Sequence, residues 1–376
     1  MNSTPDVLIV GSGVIGLSTA YLLAKQGLQV SVLERGEPAK EASWAGAGII
    51  PPGNLAHTSH PMDRLRAHSS DLIRQWANEL EEFIESKTGY RRCGGLELFD
   101  ETPTDLEALW GGEQILFEKL SPAQTRELCP PLVPARVNYH FPTMAQIRNP
   151  WYLKALLTAV EKLGVQILSN QEVVRFETGA SRITAAISQD GSRHPASKFL
   201  LCPGAWGGRL LALLEINLPV RPVRGQIVVF RTKPDLLPKI VSVGPNYFVP
   251  RADGRLLVGA TEDPEAAFDK STKIADARML TEFAIQHVPV LKNAPIEHTW
   301  AGLRPGSPGG IPFIGPVPGF ANAFFAGGHY RAGIQLSPGT ALAMSELLTD
   351  SPPWLDLAPF RLDRTSAEPH LRPFQS

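Results

Sequence analysis

The chain has almost no net charge. Against 36 lysines and arginines stand 37 aspartates and glutamates, a formal charge of −1. No global basic field therefore draws it to nucleic acid or to an anionic membrane. Cysteine is scarce: Cys93, Cys129 and Cys202 stand far apart, with no C-x-x-C pair and no histidine at metal-ligand spacing. That argues against a disulfide framework or a zinc site and favours a reducing, cytoplasmic setting. Long apolar runs are lacking too. The uncharged stretch 7–24 is cut by Gly11, Gly13 and Gly16 and carries Ser12, Ser18 and Thr19, so it is not read as a membrane span. The opening residues have no basic segment of the kind that starts a signal peptide. What remains is a globular composition, 43% hydrophobic over 376 residues, enough for one large domain or two ordinary ones.

The first thirty-five residues carry the sharpest pattern. Val7–Val10 (VLIV) is a continuously apolar, β-branched run, as expected of a parallel strand buried on both faces. Gly11-Ser12-Gly13-Val14-Ile15-Gly16 follows at once. A helical stretch then runs to about Gln26 and stops at Gly27, and a second strand over residues 29–33 ends at Glu34. This is the βαβ order that a dinucleotide fingerprint requires. The first glycine permits the tight turn, the second lets backbone approach a pyrophosphate, and the third lets helix pack closely on strand. The pyrophosphate is expected at the helix N-terminus, and Glu34 is placed to accept hydrogen bonds from the ribose hydroxyls. An acid at that tip, not an arginine, argues against a 2′-phosphate and hence against NADP.

The motif alone does not choose between FAD and NAD. Residues 42–50 (ASWAGAGII) are small and glycine-rich, which suits a chain lying along a flavin. A second glycine-rich stretch, residues 327–334 (GGHYRAGI), opens an apolar helical segment near the C-terminus and reads as another backbone approach to the cofactor. No second G-x-G-x-x-G exists for a separate NADPH site, so the substrate itself must reduce the flavin.

With these residues on the page, the chain resembles the D-amino acid oxidase superfamily, and within it the bacterial glycine oxidases associated with thiamine biosynthesis. The segments VLIVGSGVIGLSTAYLLAKQG, AGAGI, CGGLELF, CPGAWGG, YFVPRADGRLLVGAT, WAGLRPGSPGGIPFIG and AGGHYRAGIQLSP carry the likeness from about Val7 to Arg364. The expected cofactor-binding set is Gly11, Gly13, Val14, Ile15, Gly16, Glu34 and Arg35 at the start, followed by Ala42, Ser43, Ala47, Gly48 and Ile49. Val173 is added from the middle of the chain, and His329, Tyr330, Arg331, Ala332, Gly333, Ile334 and Gln335 near its end. Sarcosine oxidases attach their flavin through a cysteine near the position of Arg304; none exists here, so FAD is expected to be bound non-covalently. A homo-oligomer is implied by the resemblance only.

Between the motifs, residues 61–83 and 149–163 have helical spacing, the latter read with Asn149 as cap and Pro150 in first position. Residues 165–168 and 199–202 look like further strands of the nucleotide-binding sheet. Residues 96–99, 226–230, 247–250 and 256–259 look like strands of a different, antiparallel sheet. The expectation is an α/β fold in which a Rossmann-like FAD domain (1–88, 145–215 and 310–364) is interleaved with an α+β substrate domain (89–144 and 216–309). The last dozen residues, without periodicity, read as a loose tail.

Oxidising an amino acid requires its α-carbon to sit over the flavin while the protein supplies orientation and electrostatics. The natural handle is the substrate carboxylate, which a guanidinium clamps in one plane. The resemblance assigns that role to Arg304, in Gly302-Leu303-Arg304-Pro305, with Tyr247 as a second contact and Arg331 as a second active-site arginine. His329 suits a packing role in its glycine-rich turn better than that of a base. Cys202 reads as a buried strand residue. The sequence departs from glycine oxidase at Pro245, where that family has histidine, and at Glu262, where it has methionine. Glu262 could engage a substrate amine or basic side chain, or could face solvent. The expected activity is oxidation of glycine or another small primary or secondary amino acid, with O2 reduced to H2O2. Two alternatives stand beside it. One is a D-amino acid or proline-type dehydrogenase feeding a quinone. The other is a tRNA-modifying flavin domain, which the neutral charge opposes.

Overall fold

The computed structural model describes residues 4–364 together with Pro373 and Phe374. Its first three elements are strand β1 (Val7–Val10), helix α1 (Val14–Lys25) and strand β2 (Val30–Leu33). All four residues of β1 are buried, as a strand with neighbours on both sides and helices over it must be. It is an inner strand of a six-stranded sheet with the order Phe313–Pro316, Ala323–Gly327, Lys198–Leu201, β1, β2, Gln166–Leu168. Every join is parallel except the outermost, between Phe313–Pro316 and Ala323–Gly327. The N-terminus, the middle and the C-terminal part of the chain thus meet in one sheet. Helix α1 and the helices Pro61–Ile84, Asn149–Lys162 and Gly333–Leu348 bury their apolar faces in one cluster against it.

A second large sheet has eight strands. Its order is Ile296–Gly306, Arg221–Arg231, Arg255–Gly259, Asn246–Pro250, Ile240–Val243, Gly95–Phe99, Val137–Phe141, Glu118–Leu120. It is not wholly antiparallel: Ile240–Val243 runs parallel to Gly95–Phe99, because the chain enters these two strands from separate excursions. Alternation divides its faces, as the two-residue period of a strand dictates. Val228, Phe230, Phe248 and Val258 pack under Leu280 and Ala284 of the helix Ile274–His287, while Ile227, Val229, Val249 and Tyr247 face the other way.

Three expectations need correction. A three-stranded meander (Val173–Gly179, Arg182–Ser188, Arg193–Pro195) lies in a stretch to which no strands had been assigned; in its first strand Val174 is exposed and burial does not alternate, which masks the pattern. Asn149 is not the cap of its helix. Arg148 stands at that position without a side-chain cap, and the Asn149 amide instead donates to the Ser43 carbonyl at 2.8 Å. The tail is not loose where it is described. Phe374 is buried against Trp110 and Phe141, and the Trp110 indole donates to the Pro373 carbonyl at 2.7 Å. Residues 365–372 and 375–376 of that expected tail lie outside the described residues. Among the described residues no helix is long and apolar enough to cross a membrane.

Candidate active site

Two cavities open where the parallel strands end. Both have Gly13, Ala42, Ser43, Cys202 and Gly204 in their walls, so they are the halves of one long cleft at the carboxyl edge of the sheet, where open α/β sheets bind ligands. The three fingerprint glycines shape its centre. Gly11 has φ +107°, and a Cβ there would run into the Cys202 carbonyl. A Cβ on Gly16 would overlap the Gly11 carbonyl and crowd Ile9, so this glycine acts in helix–strand packing and does not line the cleft. Gly13 is different: a Cβ would meet only Ser43 Oγ, at 3.5 Å, and its open side belongs to the cleft. Helix α1 starts there without a side-chain cap on Gly13, and the Val14 N–H donates to Ser43 Oγ at 3.0 Å. Such a helix start holds unpaired N–H groups and the positive end of the macrodipole, which is what a pyrophosphate needs.

Toward one end the cleft is bounded by Glu34, Arg35 and Val173. The Glu34 carboxylate is already a structural acceptor. Oε2 takes the Ser12 N–H at 3.0 Å and the Ser12 hydroxyl at 2.7 Å, and Oε1 takes the Gly36 N–H at 3.0 Å. Carboxylate oxygens have lone pairs beyond these three bonds, so ribose hydroxyls can still be accepted. Arg35 pairs with Glu41 at 2.7 Å and lies over the Trp206 ring at 3.5 Å, so it forms a wall here and is not a free cation. Trp206 and Arg209 also line this end. They lie in and just after the segment CPGAWGG, which follows the Lys198–Leu201 strand and for which no site role was expected.

Residues 42–48 run along the middle of the cleft, and three distant side chains hold them. The Ser43 carbonyl accepts from Asn149 Nδ2, that of Ala45 from Trp300 Nε1 at 3.0 Å, and that of Ala47 from Arg251 Nη2 at 2.7 Å. Gly48 has φ +71°, and a Cβ would collide with the Ile147 carbonyl. Alternate carbonyls are thus tied to the body of the protein. Ala42, Ser43, Ala47, Gly48 and Ile49 all line the cleft, whereas Asn149, Trp300 and Arg251 were not foreseen as contributors; nothing local marks them.

At the other end stand Tyr247, Arg304, Tyr330 and Arg331. Arg304 pairs across strands with Val223, and Gly302 with Gly225, so all four side-chain positions share the face turned to the cleft. The guanidinium lies over Gly225, where any Cβ would overlap it, and donates to the Thr261 carbonyl at 3.0 Å. A Cβ on Gly259 would come within 2.7 Å of the Tyr247 ring, and one on Gly302 within 2.5 Å of Ala45. Gly225, Gly259 and Gly302 are therefore the glycines that make room for this end. Burial lowers the pKa of Arg304 from the ordinary arginine value, and the Arg331 charge adds to that. Burial raises the Tyr247 phenol, against the pull of both arginines.

Glu262 does not face solvent alone, nor does it stand free for an amine. Its two carboxylate oxygens accept from the Tyr330 hydroxyl and from Arg331 Nη2. Burial would raise its pKa, but these two donors outweigh it and hold the carboxyl below its usual range.

The C-terminal glycine-rich stretch closes the cleft. His329, Ala332, Gly333, Ile334 and Gln335 line it. His329 is buried, its Nε2 lies 3.1 Å from Thr340 Oγ1, and burial pushes the imidazole down to about 3, so it is neutral and occupied. The Gln335 amide donates to Ser70 Oγ at 2.9 Å. Cys202 is buried and its thiol pKa is raised by burial, which leaves it inert. In shape and donor set, the cleft fits a flavin dinucleotide. It is long, capped by an acid at one end, crossed by an uncapped helix start, and floored by glycines.

Comparison with known proteins agrees with this reading. The family model described as FAD dependent oxidoreductase matches residues 6–347. A glycine oxidase from Pseudomonas putida is 37% identical, over 94% of this chain and 97% of that protein. A second, from Pseudomonas aeruginosa, is 35% identical with the same coverage. Among solved structures, the glycine oxidase of Geobacillus kaustophilus superposes with a TM-score of 0.89 at 31% identity, covering 96% of this chain and 99% of that one.

Proposed function

The chain belongs to the FAD-dependent oxidoreductase family, and on that premise we propose that it oxidises the C–N bond of glycine or a similarly small amino acid, with O2 as final acceptor. The observation that carries this reading is the placement of Arg304 and Tyr247 in the same cleft as the glycine-lined segment 46–48. Arg304 clamps the substrate carboxylate through its planar fork, and Tyr247 adds a second hydrogen bond. That anchors the α-carbon toward the middle of the cleft. FAD, when bound, supplies the hydride acceptor, held by the fingerprint glycines, Glu34, residues 42–49 and the stretch 329–335. The proton of the substrate ammonium passes to water, because His329 is neutral and engaged by Thr340. Glycine, water and O2 then leave as glyoxylate, ammonia and H2O2.

The test is a panel of small amino acids, each mixed with FAD-loaded protein first without oxygen and then in air. Glycine or a close relative is expected to bleach the flavin and then to yield H2O2 in step with 2-oxo acid. Bleaching without H2O2 in air would move the protein to the dehydrogenases. No bleaching by any amino acid would overturn the reading.

A further inference from the structure

The substrate end of the cleft holds two guanidinium groups, and among the described residues only one of them is paired with a carboxylate. Arg331 is engaged by Glu262, whose other carboxylate oxygen accepts from the Tyr330 hydroxyl. Among the described residues Arg304 has no carboxylate partner; it donates to a backbone carbonyl, that of Thr261. Counted by charge, two arginines and one glutamate leave this end with one net positive charge, which matches a ligand carrying one carboxylate.

Glu262 is held in this position by its flanks. On one side the Thr261 carbonyl accepts from Arg304, and Thr261 Oγ1 accepts from the Gln226 N–H at 2.9 Å. On the other, Asp263 exchanges both backbone hydrogen bonds with Arg224, and its carboxylate takes Arg224 Nη2 at 2.6 Å. The Arg224 side chain is fully buried. The backbone that presents the acid is therefore clamped before and after it. The Glu262 side chain is 43% exposed and that of Arg331 21%, so the pair stands at the rim, where a group projecting from a bound amine would pass.

We propose that Glu262 is a specificity residue: by occupying Arg331 it makes the site accept amines with a single carboxylate and reject amines with a second one. The proposal rests on the amino-acid reading above. A second carboxylate that reached for Arg331 would have to displace Glu262 or lie beside its like charge. The preference has a modest size, because a rim pair is screened by solvent.

The experiment uses FAD-loaded protein, with the flavin spectrum as a binding signal and turnover as a second readout. Acetate and malonate are titrated as non-reacting ligands, and glycine and iminodiacetate are compared as amines. Glu262→Gln keeps the shape and removes the charge. It is expected to shift the malonate-to-acetate affinity ratio toward malonate by about three- to tenfold, with the iminodiacetate-to-glycine ratio of kcat/KM moving the same way. Arg331→Gln, which leaves Glu262 uncompensated, is expected to move both ratios in the opposite direction, and serves if the first variant fails to fold. Ratios that stay unchanged while acetate still perturbs the flavin would overturn the role of Glu262 and leave the amino-acid reading intact. If no carboxylate perturbs the wild-type flavin, that reading falls and the proposal with it.

Discussion

The two ends of the cleft are built in opposite ways. The nucleotide end is a local unit: Gly11, Gly13, Gly16 and Glu34 lie within one βαβ unit, the glycines acting through conformation or close approach and Glu34 through its carboxylate. The substrate end is made of side chains from positions 247, 262, 304 and 331, carried on two strands and two loops. One end is a local object and the other a long-range one. Damage to each should therefore produce a different defect, loss of cofactor in one case and loss of substrate recognition in the other.

The sharpest way to break this division is to remove the clamp. Arg304→Ala deprives a bound carboxylate of its charge-assisted partner, a loss of roughly 3–5 kcal/mol. kcat/KM for the preferred amino acid is expected to fall by about two to four orders of magnitude, and the flavin-to-protein ratio should not change. Arg304→Lys should restore only part, since an ammonium lacks the planar fork. If the alanine variant purifies without flavin, the two ends are not independent.

A pair of glycine substitutions sharpens the same contrast. Gly225→Ala puts a methyl where the Arg304 guanidinium lies; misplacing the clamp should cost about 100-fold in kcat/KM with FAD retained. Gly11→Ala puts one against the Cys202 carbonyl at a positive φ; FAD affinity, followed by quenching of its fluorescence, should weaken by about 10- to 100-fold. Similar defects from both would remove the distinction.

The smallest effect concerns pH. His329 has a folded pKa of about 3, lowered from 6.5 by burial. As pH falls, the unfolded chain takes up this proton first, so stability is complete above 6.5 and declines between 6.5 and 3. His329→Gln is expected to flatten the fall in Tm between pH 6.5 and 4, by about 2–4 °C per kcal/mol. A slope identical to wild type would show that another group sets the acid limit.

The βαβ unit of the nucleotide end was legible in the sequence, because glycine spacing, a β-branched run and a terminal acid act on their immediate neighbours; Trp206 and Arg209, which line the same end, were not. Reading the sequence also reached four of the eight strands of the second sheet, over residues 96–99, 226–230, 247–250 and 256–259, and missed Glu118–Leu120, Val137–Phe141, Ile240–Val243 and Ile296–Gly306. Arg304, Tyr247 and Arg331 were singled out by resemblance and not by any local signal. The reading had no means of finding Asn149, Trp300 and Arg251 as the ties of residues 43–47, or Gly225 as the floor under Arg304. The fate of Glu262 stayed open for the same reason.

The sequence by itself determined the dinucleotide unit, because φ, ψ and side-chain period are properties of short stretches; the class of chemistry came from family resemblance. The tertiary structure alone decided the charge of the substrate end. It pairs Gly225 with Gly302 across strands about eighty residues apart in the chain, and brings Glu262 onto Arg331 from a clamped loop. Strand register and loop anchoring arise from contacts between residues far apart in sequence, and neither partner carries a mark of the other.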